Sequence, residues 1–346
     1  MDQQNTILFP KEEKVGYHQG NNVIIFSVNS ILIEHNLIFP FPVLFYSLPF
    51  DDETHILLVN LDDPTSLILW NIKIMKEESI QKFDSNIQNF LYSGSFSCVI
   101  MEETTVILNS RTLVIHQVIE TSSSLSTFAL VQTPSDVDHC IFVYANDMRM
   151  NSVTVMTIPS STPSVIFEAH KSPIRFVALS NNGKYIATVS IKGTIIRLWS
   201  INGQLLKESR RGLTPAVIVH MSFSPCSEFL CVSSNHFTAH IFKIDDKIQN
   251  DVNGNKNIIE NRTNHTSSGI NSWLSFLPKA NITVSVQDAK MFSSFVLTGG
   301  NILCTVTDKG VCNIYDIDLT SNKCTFKSKI VIPNIARIAS SKQNIK

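Results

Sequence analysis

The sequence lacks a surplus of either charge. Its 28 Lys and Arg against 29 Asp and Glu leave a formal net charge of -1 at pH 7. A protein that holds nucleic acid by bulk electrostatics is usually basic, so nucleic acid is not an expected partner. Any anionic ligand must be held by a local cluster. Cysteine is sparse too: seven residues, an odd number, with no C-x-x-C pair. That argues against a disulfide framework or a zinc site, and free thiols fit a reducing compartment such as the cytosol. The start, MDQQNTILFPKEEK, carries acids and no long apolar stretch, so no secretory signal is read there. The most apolar region, 23–50, is broken by Asn29, Glu34, His35 and Asn36 and falls short of the ~18 unbroken residues of a membrane span. The sequons at Asn261, Asn264 and Asn281 are read as chance in an Asn-rich loop. No G-x-S-x-G, H-E-x-x-H, Walker loop or dinucleotide fingerprint occurs, so neither an enzyme nor a cofactor is expected. The pairs Asp51-Asp52 and Asp62-Asp63 fit turns better than catalytic acids.

What is present is a repeat of strands. Short runs rich in Val, Ile, Thr and Phe are bounded by Asn, Gly, Ser and Pro, which reads as an all-β chain. An apolar strand, a polar turn and a second strand with a large apolar tail recur. The clear copies are KYIATVSIKGTIIRLWSI (184–201), EFLCVSSNHFTAHIFKI (228–244) and NILCTVTDKGVCNIYDI (301–317); weaker ones end in LILWNI, TLVIHQV and VTVMTI. With Trp70, His116, Met156, Trp199 and Phe242 as tails, the spacings are 46, 40, 43 and 43. A period of roughly 40–45 residues with four strands per unit is the signature of a β-propeller. Tyr315 follows 73 residues after Phe242, so about 30 residues are inserted there. The expected fold is a single seven-bladed propeller of four-stranded antiparallel blades spanning 1–346. The long loop is placed at 245–290 within the sixth blade. The seventh blade comes from the N-terminus, around 21–33, and 324–333 is a candidate to complete it, since sharing a blade removes a free edge.

The chemical signal is Ser209-Arg210-Arg211-Gly212, which joins two of the clear copies. Adjacent residues of an extended strand point to opposite sides, so the two arginines should face different blades. Ser190, Gly193 and Thr194 occupy a turn of the first blade, with Arg197 two residues before Trp199. Ser234 and Thr238 repeat the hydroxyls 44 residues later, with His240 two residues before Phe242. His170 opens the first blade and could add a donor. Hydroxyls around a fixed guanidinium suit phosphate oxygens, because Arg gives bidentate charge-assisted bonds. The bland alternative is a solvated R-R turn, with Ser and Thr capping strands.

The stretch 165–245 resembles the PROPPIN (WIPI-type) family of WD-like propellers, most densely around its R-R-G. The resemblance implies binding of phosphatidylinositol 3-phosphate and phosphatidylinositol 3,5-bisphosphate, with autophagy or endosomal partners and peripheral recruitment of a cytoplasmic monomer to such membranes. By the same resemblance, a first pocket would use Thr188, Ser190, Gly193, Thr194, Arg197 and Arg210, to which His170 is added from its place at the start of the blade. A second would use Arg211, Gly212, Ser234, Thr238 and His240. The family's second turn usually reads D-K-G-T, and here Phe237 stands at the glycine, which is expected to reshape that turn. The first pocket is therefore the preferred one. The family also has a membrane-inserting loop, to which Trp273, Leu274, Phe276 and Leu277 would correspond; the SWLSFL segment could equally fold back on the propeller.

Overall fold

The computed structural model describes residues 6–9, 13–121, 128–133, 136–146, 151–159, 165–244, 278–286, 292–296, 300–307 and 310–332. Every regular element there is a strand, and the strands form seven four-stranded antiparallel sheets. Blade 1 holds β1 (Thr6–Phe9), β2 (Lys14–Gln19), β3 (Asn22–Ser27) and β4 (Leu32–Ile38). Blade 2 holds β5 (Val43–Tyr46), β6 (His55–Asn60), β7 (Ser66–Asn71) and β8 (Lys76–Lys82). Blade 3 holds β9 (Asn89–Ser93), β10 (Phe96–Ile100), β11 (Thr104–Asn109) and β12 (Ile115–Glu120). Blade 4 holds β13 (Phe128–Thr133), β14 (Asp136–Asn146), β15 (Ser152–Ile158) and β16 (Val165–Glu168). Blade 5 holds β17 (Ile174–Leu179), β18 (Tyr185–Ser190), β19 (Ile195–Ser200) and β20 (Leu205–Arg210). Blade 6 holds β21 (Ile218–Phe223), β22 (Phe229–Ser234), β23 (Thr238–Lys243) and β24 (Ile282–Ser285). Blade 7 holds β25 (Phe292–Val296), β26 (Ile302–Thr307), β27 (Val311–Asp318) and β28 (Lys323–Val331).

The core explains why the sheets form a ring. Second and third strands are buried on both faces, as in YIATVS of β18, where every residue is buried. Such sheets need cover on two sides. Seven apolar clusters supply it, each shared by two successive blades. Leu198 of blade 5 packs with Leu230 and Phe242 of blade 6. Val15 and Phe26 of blade 1 pack with Cys304 and Ile314 of blade 7, which closes the circle. Fully burying one such side chain contributes roughly 1.5–3 kcal/mol, so each boundary is strongly held.

Two expectations about the repeat are corrected. The ring does not close by a shared blade. Cys324–Val331 lie in β28 and pair with β27, while blade 1 takes all four strands from the N-terminal side. Closure is by side-chain packing between whole blades. His116 is also not a third-strand tail; it lies in β12, the outer strand. The third-strand position is Leu108, marked by a register shift toward the outer strand that recurs at Phe26, Trp70, Trp199 and Tyr315. The other tails, Met156 and Phe242, do lie in third strands. Within the expected 245–290 loop, Ile282–Ser285 is β24, so the connection between β23 and β24 is 244–281. Trp273, Leu274, Phe276 and Leu277 lie outside the described residues.

Candidate functional site

In every blade the turn between second and third strands lies at the same end as the close of the fourth strand. That topology gathers the β18–β19 turn, the end of β20, the loop to β21 and the β22–β23 turn. The backbone stitches them together. Arg211 N–H donates to Thr194 O at 2.8 Å, Ala216 N–H to Lys192 O at 3.2 Å, and Asn235 N–H to Val217 O at 2.9 Å. Arg210 N–H donates to Pro278 O at 2.7 Å, so the chain returning from the 244–281 connection passes beside it.

Both arginines are buried, Arg210 at 5% and Arg211 at 7% exposure. The ladder runs on from Ile195–Arg210 to the Thr194–Arg211 bond, and alternation along it sets the two on opposite faces of the strand. Glu208, on the face of Arg210, binds Arg197 of the first pocket. Ser209, on the face of Arg211, lines a small cavity with Leu230 and Phe242 of blade 6. Arg211 Nε donates to Gly193 O at 2.7 Å and Nη2 to Thr214 O at 2.6 Å. Among the described residues no carboxylate pairs with Arg211.

In the first pocket much of the polar equipment is already engaged. Trp199 Nε1–H donates to Thr188 Oγ1 at 2.9 Å, and His170 Nε2 lies 2.9 Å from the same oxygen. Thr188 is fully buried. Its hydroxyl is thus occupied inside the blade and positions His170. Arg197 Nε donates to Glu208 Oε1 at 2.7 Å and Nη1 to Ala169 O at 2.5 Å. Glu208 offsets the charge of Arg197, which braces the loop carrying His170. Burial, reinforced by Arg197, pulls the His170 pKa down to about 4 against the opposing pull of Glu208. His170 is therefore neutral near pH 7. Ser190 ends β18, and Thr194 in the following turn accepts the Arg211 N–H on its carbonyl.

The second pocket is a hydroxyl–imidazole chain. Ser234 Oγ lies 3.1 Å from Thr238 Oγ1, which lies 3.0 Å from His240 Nε2; His240 Nδ1 lies 3.1 Å from Thr283 Oγ1. Burial first, then Arg211 and His236, bring the His240 pKa down to about 4. His240 pairs across the sheet with Val232 as Arg197 pairs with Thr188, so the equivalence counted from the tails holds in the register.

The turn with Phe237 keeps its shape, against expectation. Phe237 has φ 56° where Gly193 has φ 62°. The closing bonds match: Ser234 O to Phe237 N at 3.0 Å and Ser190 O to Gly193 N at 2.9 Å. A side chain in this left-handed region costs about 1–2 kcal/mol, which the surrounding bonds absorb. Gly193 could not make the same exchange, because a Cβ there would lie 1.9 Å from Ala216 O. Gly212 has neither constraint: its φ lies outside the left-handed region and a Cβ would meet only Thr214 O, at 3.9 Å.

Three participants escaped the sequence reading. Glu208 was within reach of it, since Arg197 and Glu208 are direct partners across the β19–β20 hairpin. Trp199 served there only as a marker of the repeat. Thr283 lies beyond the long connection, so no spacing pointed to it.

The PROPPIN family model matches residues 50–315, most of the chain. The chain belongs to the PROPPIN family. SVP1-like protein 2 of Candida glabrata is 43% identical over 130 residues, covering 37% of this chain and 28% of that protein. SVP1-like protein 2 of Saccharomyces cerevisiae is 32% identical over 213 residues, covering 54% of this chain and 47% of the relative. Autophagy-related protein 18 of Dictyostelium discoideum is 40% identical over 116 residues, covering 33% and 30%. The chain thus aligns with less than half the length of these PROPPIN relatives. Among solved structures, Kluyveromyces lactis Hsv2 superposes with a TM-score of 0.76 at 16% identity, covering 95% of this chain and 98% of that one. A complex of KlAtg21 with the coiled-coil of AgAtg16 superposes with a TM-score of 0.70 at 15% identity, covering 92% and 96%. These likenesses support the seven-bladed fold.

Proposed function

We propose that this PROPPIN is a non-enzymatic reader of phosphoinositide headgroups, with phosphatidylinositol 3-phosphate and phosphatidylinositol 3,5-bisphosphate as its ligands. One observation carries the reading. The guanidinium of Arg211 is buried, its bonds go to backbone carbonyls, and no carboxylate among the described residues balances it. A buried charge without a counter-charge is costly, and a bound phosphate removes that cost. Arg211 acts electrostatically on neutral His240, which is linked to Thr238 and through it to Ser234. Arg210, with Ser190 and Thr194, forms the equivalent set toward blade 5. The intact β22–β23 turn supports two working pockets rather than one.

Two weak sites on one rigid propeller give avidity on a membrane. Relatives named for autophagy, and the Atg21–Atg16 complex among the structural neighbours, support recruitment of autophagy partners to the membrane. On this reading the protein is cytoplasmic and peripherally recruited to autophagosomal precursor or endosomal membranes. The test is vesicle flotation with and without phosphatidylinositol 3-phosphate, comparing the wild type with the Arg210→Thr/Arg211→Thr double variant. Lipid-dependent flotation that the variant loses is expected. Equal flotation of both proteins, or none that depends on the lipid, refutes the proposal and leaves a protein-binding scaffold as the better reading.

A further inference from the structure

Four large apolar side chains stand in water beside Arg211. Ile191 (54% exposed) is in the β18–β19 turn, Leu213 (53%) and Val217 (46%) are in the loop to β21, and Phe237 (43%) is in the β22–β23 turn. Single exposed apolar residues are ordinary on any surface. These four share one rigid arch. The bonds from Ala216 to Lys192 and from Asn235 to Val217 join its three segments. Val217 N–H also donates to Asn235 Oδ1 at 2.9 Å. Arg211 ties the arch down through Gly193 O and Thr214 O. The apolar tips and the anion pocket are therefore fixed relative to one another.

The chemistry of the arch fits one partner. Turns that face water favour Gly, Asn, Asp and Ser. At the same end of the propeller, the matching turns of blades 2 and 3 carry Asp62-Asp63 and Glu102-Glu103. The arch instead carries Ile191-Lys192 and His236-Phe237, and residues 211–223 contain no Asp or Glu. Apolar tips beside Lys192, with two buried arginines and no carboxylate in residues 211–223, complement the headgroup layer of an anionic bilayer. Phe237 is the most telling member. It occupies a left-handed position that glycine fills without strain, and its ring is exposed, so folding gains little from it.

We propose that Ile191, Leu213, Val217 and Phe237 form a bilayer-seating rim that enters the boundary between headgroups and acyl chains while a headgroup occupies the arginine pockets. The inference rests on the phosphoinositide reading above and adds the face that meets the lipid. It is independent of the 273–277 segment.

The test compares the full chain with Phe237→Gly and with the triple variant Ile191→Ser/Leu213→Ser/Phe237→Gly. Binding is measured to water-soluble dibutanoyl phosphatidylinositol 3-phosphate, and separately to phosphatidylcholine vesicles containing phosphatidylinositol 3-phosphate. The triple variant should keep its affinity for the soluble headgroup and lose about tenfold on vesicles. Phe237→Gly should weaken vesicle binding while raising the urea midpoint, a combination that a damaged fold does not produce. Unchanged vesicle affinity, with the soluble headgroup still bound, overturns the rim and leaves the headgroup reading standing. An equal loss in both assays overturns the rim as well, because the side chains then act through the pocket. A wild type that ignores the soluble headgroup overturns the headgroup reading and the rim with it.

Discussion

Arg197 and Glu208 face each other across β19 and β20 with Nε and Oε1 2.7 Å apart, and this pair sets the charge of the first pocket. Arg197 on its own would be a second phosphate anchor beside Arg210. With Glu208 attached, it braces the loop of His170 through Ala169 O. Glu208→Gln should therefore have opposite effects on stability and binding. It weakens a largely buried ion pair and lowers unfolding free energy by roughly 1–3 kcal/mol, while removing a negative charge from the anion site. Urea denaturation and soluble-headgroup titration would read the two effects. A variant with weaker headgroup binding and unchanged stability contradicts this account.

The propeller was legible in the sequence because its repeat is written in large residues. Trp70, Trp199, Phe242 and Tyr315 all sit in third strands of their blades. Where the tail is Leu108, an aliphatic residue inside the apolar run of β11, no ring marks the third strand, and the marker was set one strand outward at His116. Ring closure was misread because a free edge argues for a shared blade, whereas Val15, Phe26, Cys304 and Ile314 close the ring by packing alone. In the site, the expectation that Arg210 and Arg211 face different blades came from strand alternation, and the ladder continuing to the Thr194–Arg211 bond is consistent with it. The engagement of Thr188 by Trp199 and His170 did not, because spacing cannot tell a hydroxyl that lines a pocket from one already occupied.

Arg211→Lys separates charge from geometry. Lysine keeps the cation but cannot reach Gly193 O and Thr214 O together as the planar fork does. Loss of the two bonds should cost about 1–3 kcal/mol of stability and about tenfold in headgroup affinity. Calorimetric titration alongside urea unfolding would check both. Full headgroup affinity in the lysine variant would show that point charge alone suffices.

Gly193→Ala should be among the most damaging single-methyl changes in the site. The φ of +62° disfavours a side chain, and the new Cβ would lie 1.9 Å from Ala216 O. The turn must shift, and its carbonyl is the acceptor for Arg211 Nε. A loss of about 2–4 kcal/mol is expected from strain and the displaced bond together. Gly212→Ala is the control, with room for its methyl and an expected change within about 0.5 kcal/mol. Equal unfolding midpoints for the two variants would refute the contrast.

The two buried histidines of the site, His170 and His240, make the fold sensitive to mild acid, and His18, buried in blade 1 with its pKa also lowered by burial, acts in the same direction. His170 and His240 titrate near 4 in the folded protein, held down by burial and by Arg197 and Arg211 respectively. In the unfolded chain each takes up its proton near its ordinary value of about 6.5. Above that pH both states are neutral and the pair adds no pH dependence. Between about 6.5 and 4 the unfolded chain holds more protons, so stability falls as pH falls, by up to about 1.4 kcal/mol per pH unit for each histidine. Carboxylates titrate mostly below about pH 5, which leaves the upper part of this window to histidine. Urea midpoints taken from about pH 7.5 down to about pH 5 should decline, and the decline should flatten in His170→Gln/His240→Gln. An undiminished slope in that double variant would place the acid sensitivity elsewhere. A bound phosphate beside His240 opposes Arg211 and raises the imidazole pKa, so headgroup binding should protect the fold most at the acid end of the range.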